Sequence, residues 1–436
     1  MHWNTTKPWR RGLLALALGV SLGACHDLLS VDRPGQITDG QVADANLADA
    51  IVAAAEGEYH VAFNWVANSG AAASDEAIFS HGWSPWDDYD ERDVTASSPA
   101  WDGIGYPWMQ RARVTAVRSA AQLKQINAPG VAVATALNYA GFSTVLLADY
   151  LCEVPLNGGA ALPRTAAYDS AIALFQQAVT AAAGNDGQTS LANVGIARAY
   201  LNRHDLAHAI EFAKKVSPSF EAWVRFVDSQ NFDDWQQKYN LYYRTSGFIS
   251  ASEFSLALDP GEWTGKSDLR VPFESDSTRR MFTSNPWARS GYVPFTPSSF
   301  EGWTPGNHTM ITGGEDIRFA SGLEAQYIIA EASLYGGAGG WSDAQVRAFI
   351  DARRAVGGKG PYAGTDLKAE LREQRKLDFF FAGYRVPDLI RYKTYYSVDL
   401  WPKGKIGGYP AAAPYTYGNT ECWPVGQSEI STNPNL

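Results

Sequence analysis

Apolar positions recur at helical spacing in three successive stretches of 315–395. Leu323, Tyr327, Ala330 and Leu334 fall on one stripe, widened by Ile328 and Ile329. A glycine-rich break follows. Val346, Phe349 and Ile350 then form a second apolar face, entered through Ser342 with Gln345 three residues on, the spacing of a capping box. A third stretch buries Leu367, Leu371 and the group Leu377, Phe380 and Phe381, with Gly383 as its stop. The pattern predicts a helical hairpin and a third helix. Arg375 and Arg385 flank its aromatic run and need carboxylate or carbonyl partners, for which Asp388 and Glu331 are the nearby candidates.

The same spacing predicts helix over 40–67, 109–150, 168–183 and 191–216, with a tight turn at 202–205. Ile196, Ala197, Tyr200 and Ala209 match part of a tetratricopeptide repeat: two alanines let the helices approach and the tyrosine fills the groove. A second repeat is expected within 323–354. Two stretches break the pattern. In 74–108, Pro85, Pro99 and Pro107 interrupt any helix, and 218–312 is irregular and rich in Pro, Gly, Ser and aromatics. Within it, 239–243 fits a strand or a helix end equally. The expectation is a mostly α protein with one domain over 40–436. Its helical parts are about 40–67, 109–217 and 315–395, and its loop-rich, ligand-side parts about 74–108 and 218–312.

The chain has 436 residues, 45% of them hydrophobic, so a large core is within reach. Its net charge of −10, with no basic block beyond the N-terminus, argues against a nucleic-acid partner. At the N-terminus, Lys7, Arg10 and Arg11 precede an apolar run over 12–22 that is too short to span a bilayer. Residues 1–24 therefore read as an export signal. The run ends in Leu22-Gly23-Ala24-Cys25, which resembles a bacterial lipobox. Cleavage before Cys25 would leave that residue lipidated, with 25–39 as a polar tether to the membrane. Cys152 and Cys422 then remain, either as a disulfide or as two free thiols.

The 15 Trp and 21 Tyr exceed what a helical core of this length needs. The stretch 74–108 holds Trp83, Trp86, Tyr89 and Trp101 beside Asp87 and Asp88. Two readings stand: a carbohydrate platform, with rings stacked on sugar C–H faces and carboxylates bonded to hydroxyls, or tryptophans plugging the core beneath a loop. Trp287, Arg289, Tyr292 and Trp303 are candidates for a second wall by position and type. The acidic run lacks the glycine and closing glutamate of a calcium loop, and His204 and His208 lack a third ligand, so both read as solvated and no metal is expected. G-x-S-x-G occurs only at 19–23, inside the export signal; the chain has no H-E-x-x-H and no phosphate-cradling glycine loop, and paired carboxylates among 46 acidic residues decide nothing about glycoside hydrolysis.

Several segments resemble the RagB/SusD family of surface nutrient-binding lipoproteins. They are A-E-A at 330–332, I-D-A-R-R at 350–354, F-F-A-G-Y-R-x-x-D-L-I-R at 380–391 and the tail at 423–436. C-E-V-P-L at 152–156 is similar to the family's G-D-V-P-L turn. Gln374 stands where the family usually has glutamate, which removes a local salt link, and Pro387 where an aromatic is common. The resemblance implies a helical fold containing tetratricopeptide-repeat pairs, with Arg375, Gly383, Arg385, Asp388 and Arg391 in structural roles. It also implies a non-catalytic protein without cofactor, lipid-anchored in the outer membrane and facing the cell exterior. Such a protein captures glycans or oligosaccharides and passes them to a SusC-like TonB-dependent transporter. Peptide cargo, or a helical-repeat scaffold or adhesin, are the alternatives.

Overall fold

The computed structural model describes residues 47–79, 84–227, 249–251, 268–275, 292–294, 296–306, 314–404 and 416–436. Residues 1–44 form one unit and residues 45–436 another. The export signal, Cys25 and the whole tether lie outside the described residues, as does 239–243.

The second unit is mostly helical, as the apolar spacing predicts. Its longer helices are α1 (Ala48–Ala73), α2 (Tyr106–Gln125), α3 (Gly130–Tyr150), α4 (Arg164–Ala182), α5 (Asp186–Asn202) and α6 (Leu206–Ala213). They continue with α7 (Gly322–Leu334), α8 (Asp343–Val356), α9 (Leu367–Asp378), α10 (Arg385–Tyr396) and α11 (Gln427–Thr432). Short antiparallel strand pairs join them: β1 (Ala77–Phe79) with β5 (Ile249–Ala251), and β2 (Glu153–Pro155) with β3 (Ala161–Pro163). The others are β4 (Glu221–Val224) with β8 (Ile317–Ser321), and β6 (Phe273–Ser275) with β7 (Tyr292–Pro294).

Three boundaries differ from the sequence pattern for local reasons. Helix α1 runs on to Ala73, because Asn68 and Ser69 bond back to the carbonyls of Asn64 and Trp65 at 3.2 and 2.8 Å instead of breaking the helix. The stretch 84–105 is not all loop. It holds a helical turn at Asp87–Asp90 and a wide turn at Trp101–Gly105 that feeds α2, whose first turn accepts Pro107. The span 109–150 is two helices, split where Asn127 turns left-handed (φ 52°) and Pro129 opens α3.

Helix α3 is buried nearly all round, with α2 and α4 packed along it and α1 and α5 also in contact. By length and composition it could cross a membrane, but 83% of its apolar window is buried inside the protein. The hairpin α5–α6 forms as expected, with Ala197 and Ala209 fully buried and Asp205 capping α6 through the amide of His208. The second hairpin, α7–α8, carries the predicted capping box: Gln345 N donates to Ser342 Oγ and Ser342 N donates to Gln345 Oε1 at 2.9 Å.

Buried ion pairs tie these helices together. Arg375 donates to Asp388 at 2.7 Å, as expected. Glu331, however, pairs with Arg391 (2.7 and 2.9 Å) on α10. Arg385 takes Asp75, at the end of α1, with Nη2 to Oδ2 at 2.8 Å. Arg391 also reaches Asp388 and Asn202, both at 2.7 Å, so α5, α7 and α10 meet at one guanidinium. Arg198 of α5 holds Glu324 of α7 at 2.6 and 2.8 Å and lies against the Tyr384 ring. Gln374 has its own role: its carbonyl accepts from Arg270 at 2.6 Å, while Asp268 and Asp378 supply the charge. Breaking any one of these pairs strands a buried charge, at a cost of about 3–5 kcal/mol. Gly383 (φ 75°) lies in the turn between α9 and α10, where its carbonyl accepts from Tyr150 Oη at 2.8 Å.

Candidate ligand-binding face

Sequence alone left the aromatic cluster of 74–108 with two readings, and the structure divides it. Trp86, Tyr89 and Trp101 are buried, the last two completely. Trp86 packs on Trp65 with ring centroids 4.2 Å apart, and Trp65 meets Trp108 edge-on at 5.4 Å. Tyr89, Trp101 and Tyr150 converge on Trp423, at 5.2, 5.0 and 4.8 Å. These rings fill the space between α1, α2, α3 and the C-terminal segment, so they are core and present no face to a sugar. Their polar edges are used internally too: Trp101 Nε1 donates to Pro424 O at 2.8 Å. Asp87 and Asp88 stay partly exposed on their helical turn.

Beside this cluster, Cys152 and Cys422 form a disulfide with Cα atoms 5.0 Å apart. It fastens the end of α3 to the chain that carries Trp423. Two backbone bonds flank it, Cys152 N to Trp423 O at 2.9 Å and Trp423 N to Tyr150 O at 2.7 Å.

Of the remaining candidates, Tyr292 lies in a strand pair. Trp83 lies four residues beyond β1, outside the described residues. Trp287 and Arg289, also outside them, belong to the segment joining β6 to β7. Tyr292 begins β7 and pairs with Ser275. Strand β5, the partner of β1, lies beside β7. The backbone therefore brings β1, β5, β6 and β7 together, although β1 and β7 are some 200 residues apart in sequence. Trp303 is half-buried, with its Nε1 donating to Leu269 O at 3.0 Å and the rest of its ring partly open to solvent.

Groups with displaced pKa values sit elsewhere. Burial alone would raise Asp75, but the Arg385 guanidinium holds its carboxyl below the usual range. The adjacent Glu76 is pushed well up by burial and by the charge of Asp75. Both are closed off from solvent, which makes them parts of the interior and not an accessible acid–base pair. Among the described residues, no group of three or more His, Cys, Asp or Glu is placed to hold a metal ion. His204 stacks on Tyr395 at 4.6 Å, and His208 lies 2.8 Å from Asp205.

No protein-family model and no curated protein matches the chain. Solved structures do. A SusD-like carbohydrate-binding protein from Bacteroides fragilis superposes with a TM-score of 0.64 at 13% identity, covering 91% of this chain and 99% of that one. The chain has the SusD-like fold. A SusD superfamily protein from Bacteroides vulgatus agrees (TM-score 0.60, 14% identity, 90% of this chain and 98% of that one). So does surface glycan-binding protein A from Bacteroides fluxus (TM-score 0.58, 15% identity, 92% and 98%). Because the SusD-like superposition spans nearly the whole of each chain, it takes in the helical hairpins and the loop-bearing strands together.

Proposed function

We propose that this chain is a lipid-anchored, surface-exposed protein of the RagB/SusD family. It binds glycans or oligosaccharides and delivers them to a SusC-like TonB-dependent outer-membrane transporter. The observation that carries this reading is the end-to-end match in fold to a SusD-like carbohydrate-binding protein, over 91% of one chain and 99% of the other. The lipobox-like Leu22-Gly23-Ala24-Cys25 supports the anchor and the outer-membrane location. The partly exposed Trp303 supports an open aromatic face, and Trp83, Trp287, Arg289 and Tyr292 are the other residues we assign to it. Binding of this kind needs no catalysis: stacked rings supply apolar contact and flanking polar groups supply direction.

The test is intrinsic tryptophan fluorescence of the full chain in a non-glycosidic detergent, titrated with neutral oligosaccharides and with short peptides. A saturable change with an oligosaccharide is expected, lost in Trp287→Ala with the far-UV circular dichroism unchanged. A response to peptides alone would replace the cargo. Silence to both would favour a scaffold or adhesin.

A further inference from the structure

Helix α2 turns one side toward a surface cleft of about 390 Å³, lined by its Gln110, Val114, Val117 and Arg118. The facing wall is Pro155, Asn157 and Gly158 of the β2–β3 turn, with Glu429 of α11 at the edge. These residues are distinct from those of the proposed glycan face. The wall is pinned in place: Asn435 Nδ2 donates to Gly158 O at 2.8 Å and Asn433 Nδ2 to Gly159 O at 3.0 Å.

A second observation concerns Arg113. It follows Gln110 by three residues and precedes Val117 by four, which puts it on the helix side that lines the cleft. It is only 5% exposed. Its Nη1 donates to Asn157 Oδ1, itself in the cleft wall, at 2.9 Å, while its Nε has no hydrogen-bond partner among the described residues. Burial lowers its pKa and no carboxylate offsets the effect, unlike the paired arginines of the interior. Arg118, exposed at the same cleft, has no hydrogen bond or ion pair among the described residues. Glu429 is the one acid in the lining, and its Oε1 already accepts from Asn433 Nδ2 at 3.0 Å. The cleft thus has Arg118 and Glu429 in its lining, with the buried Arg113 held behind its wall through Asn157, in a chain whose net charge is −10.

We infer that this cleft is a binding site for an acidic sugar, with Arg118 and the Arg113–Asn157 pair receiving its carboxylate. An anionic group would complete the hydrogen bonding of a desolvated guanidinium, which is where charge-assisted bonds are strongest. Val114, Val117 and Pro155 offer an apolar floor to the C–H face of a ring, and the amides of Gln110 and Asn157 suit its hydroxyls. The volume falls in the range of small-molecule sites. The inference stands apart from the neutral-glycan reading, because it uses none of the same residues.

Calorimetric titration of the full chain with digalacturonate, and with galactobiose as its neutral counterpart, tests it. Digalacturonate is expected to bind saturably. Affinity should fall at least tenfold in Arg118→Gln, which removes an exposed charge, and in Val117→Trp, which fills the cleft and leaves the charges alone. Melting temperatures of both should match the parent. Trp287→Ala should leave this binding intact, separating it from the proposed glycan face. Absence of saturable heat with digalacturonate, equal affinity in both cleft variants, equal affinity for galactobiose, or tighter binding of a short peptide through its free C-terminal carboxylate would each overturn the assignment.

Discussion

At the scale of single residues, His60 of α1 links the fold to pH. It is 6% exposed, and its Nδ1 accepts from the backbone N–H of Arg225 at 3.3 Å. Burial, and then the charge of Arg225, bring its pKa down to about 3. The imidazole is therefore neutral at pH 7, and its 3.7 Å approach to Glu56 is not an ion pair. The folded pKa lies below the unfolded value of about 6.5, so the unfolded chain takes up the proton first and stability falls as pH drops below that value. Between pH 6.5 and 5 the loss is about 2 kcal/mol. Asp75, Asp378 and Asp388, whose arginine partners hold them low against the effect of burial, contribute stability that is present above about pH 4 and lost as pH falls through their folded values. Glu76, pushed well up by burial, acts with the opposite sign above its unfolded value but does so in parent and variant alike, so the difference between a His60 variant and the parent from pH 6.5 to 5 isolates the histidine. Urea denaturation across that window should show a flatter slope for His60→Gln than for the parent, and identical slopes would refute the assignment. Nothing in the sequence around His60 marks it, because its environment is assembled with Arg225, 165 residues away.

Elements were more legible than residues where the pattern was local. The capping box at Ser342 and the α5–α6 turn could be read because every group involved lies within a few positions. The end of α1 and the start of α2 could not. Polar Asn68 and Ser69, and the proline at 107, look like breakers until their partners are known. Close helix approach outside that repeat motif is also invisible in sequence. Gly195 of α5 and Gly141 of α3 both press on the ring of Phe175 in α4, and a Cβ on either would overlap that ring. By contrast, Gly57 in α1 faces open space. Helix propensity favours alanine over glycine by about 1 kcal/mol at any of these sites, but overpacking a core costs about 1–3 kcal/mol. Gly195→Ala should therefore lower stability while Gly57→Ala raises it by up to about 1 kcal/mol. Chemical denaturation of the two variants checks the pair, and a stabilised Gly195→Ala would show that Phe175 can move aside.

At the scale of the whole molecule, the family resemblance in the C-terminal half was enough to anticipate a helical, SusD-like fold, since it rests on contiguous motifs such as 380–391. The ligand face was not legible to the same degree. A tryptophan's sequence neighbours are the same whether its ring faces a sugar or another ring, and only the long-range meeting of 86–101 with 423 distinguishes them. That division makes a prediction. Trp101 is fully buried between Tyr106 and Trp423, with ring centroids 5.5 and 5.0 Å away, and donates to Pro424 O. Trp101→Ala should cost about 3–5 kcal/mol, visible as a lower denaturation midpoint. At a temperature where it remains folded, it should bind the oligosaccharide as the parent does. Trp303→Ala removes a half-open ring whose one internal bond goes to Leu269 O, and should show the opposite balance: a small loss of stability and a large loss of affinity. If Trp101→Ala abolished binding with the fold intact, the 74–108 segment would belong to the ligand face after all, and its aromatic core would have to open to admit the sugar.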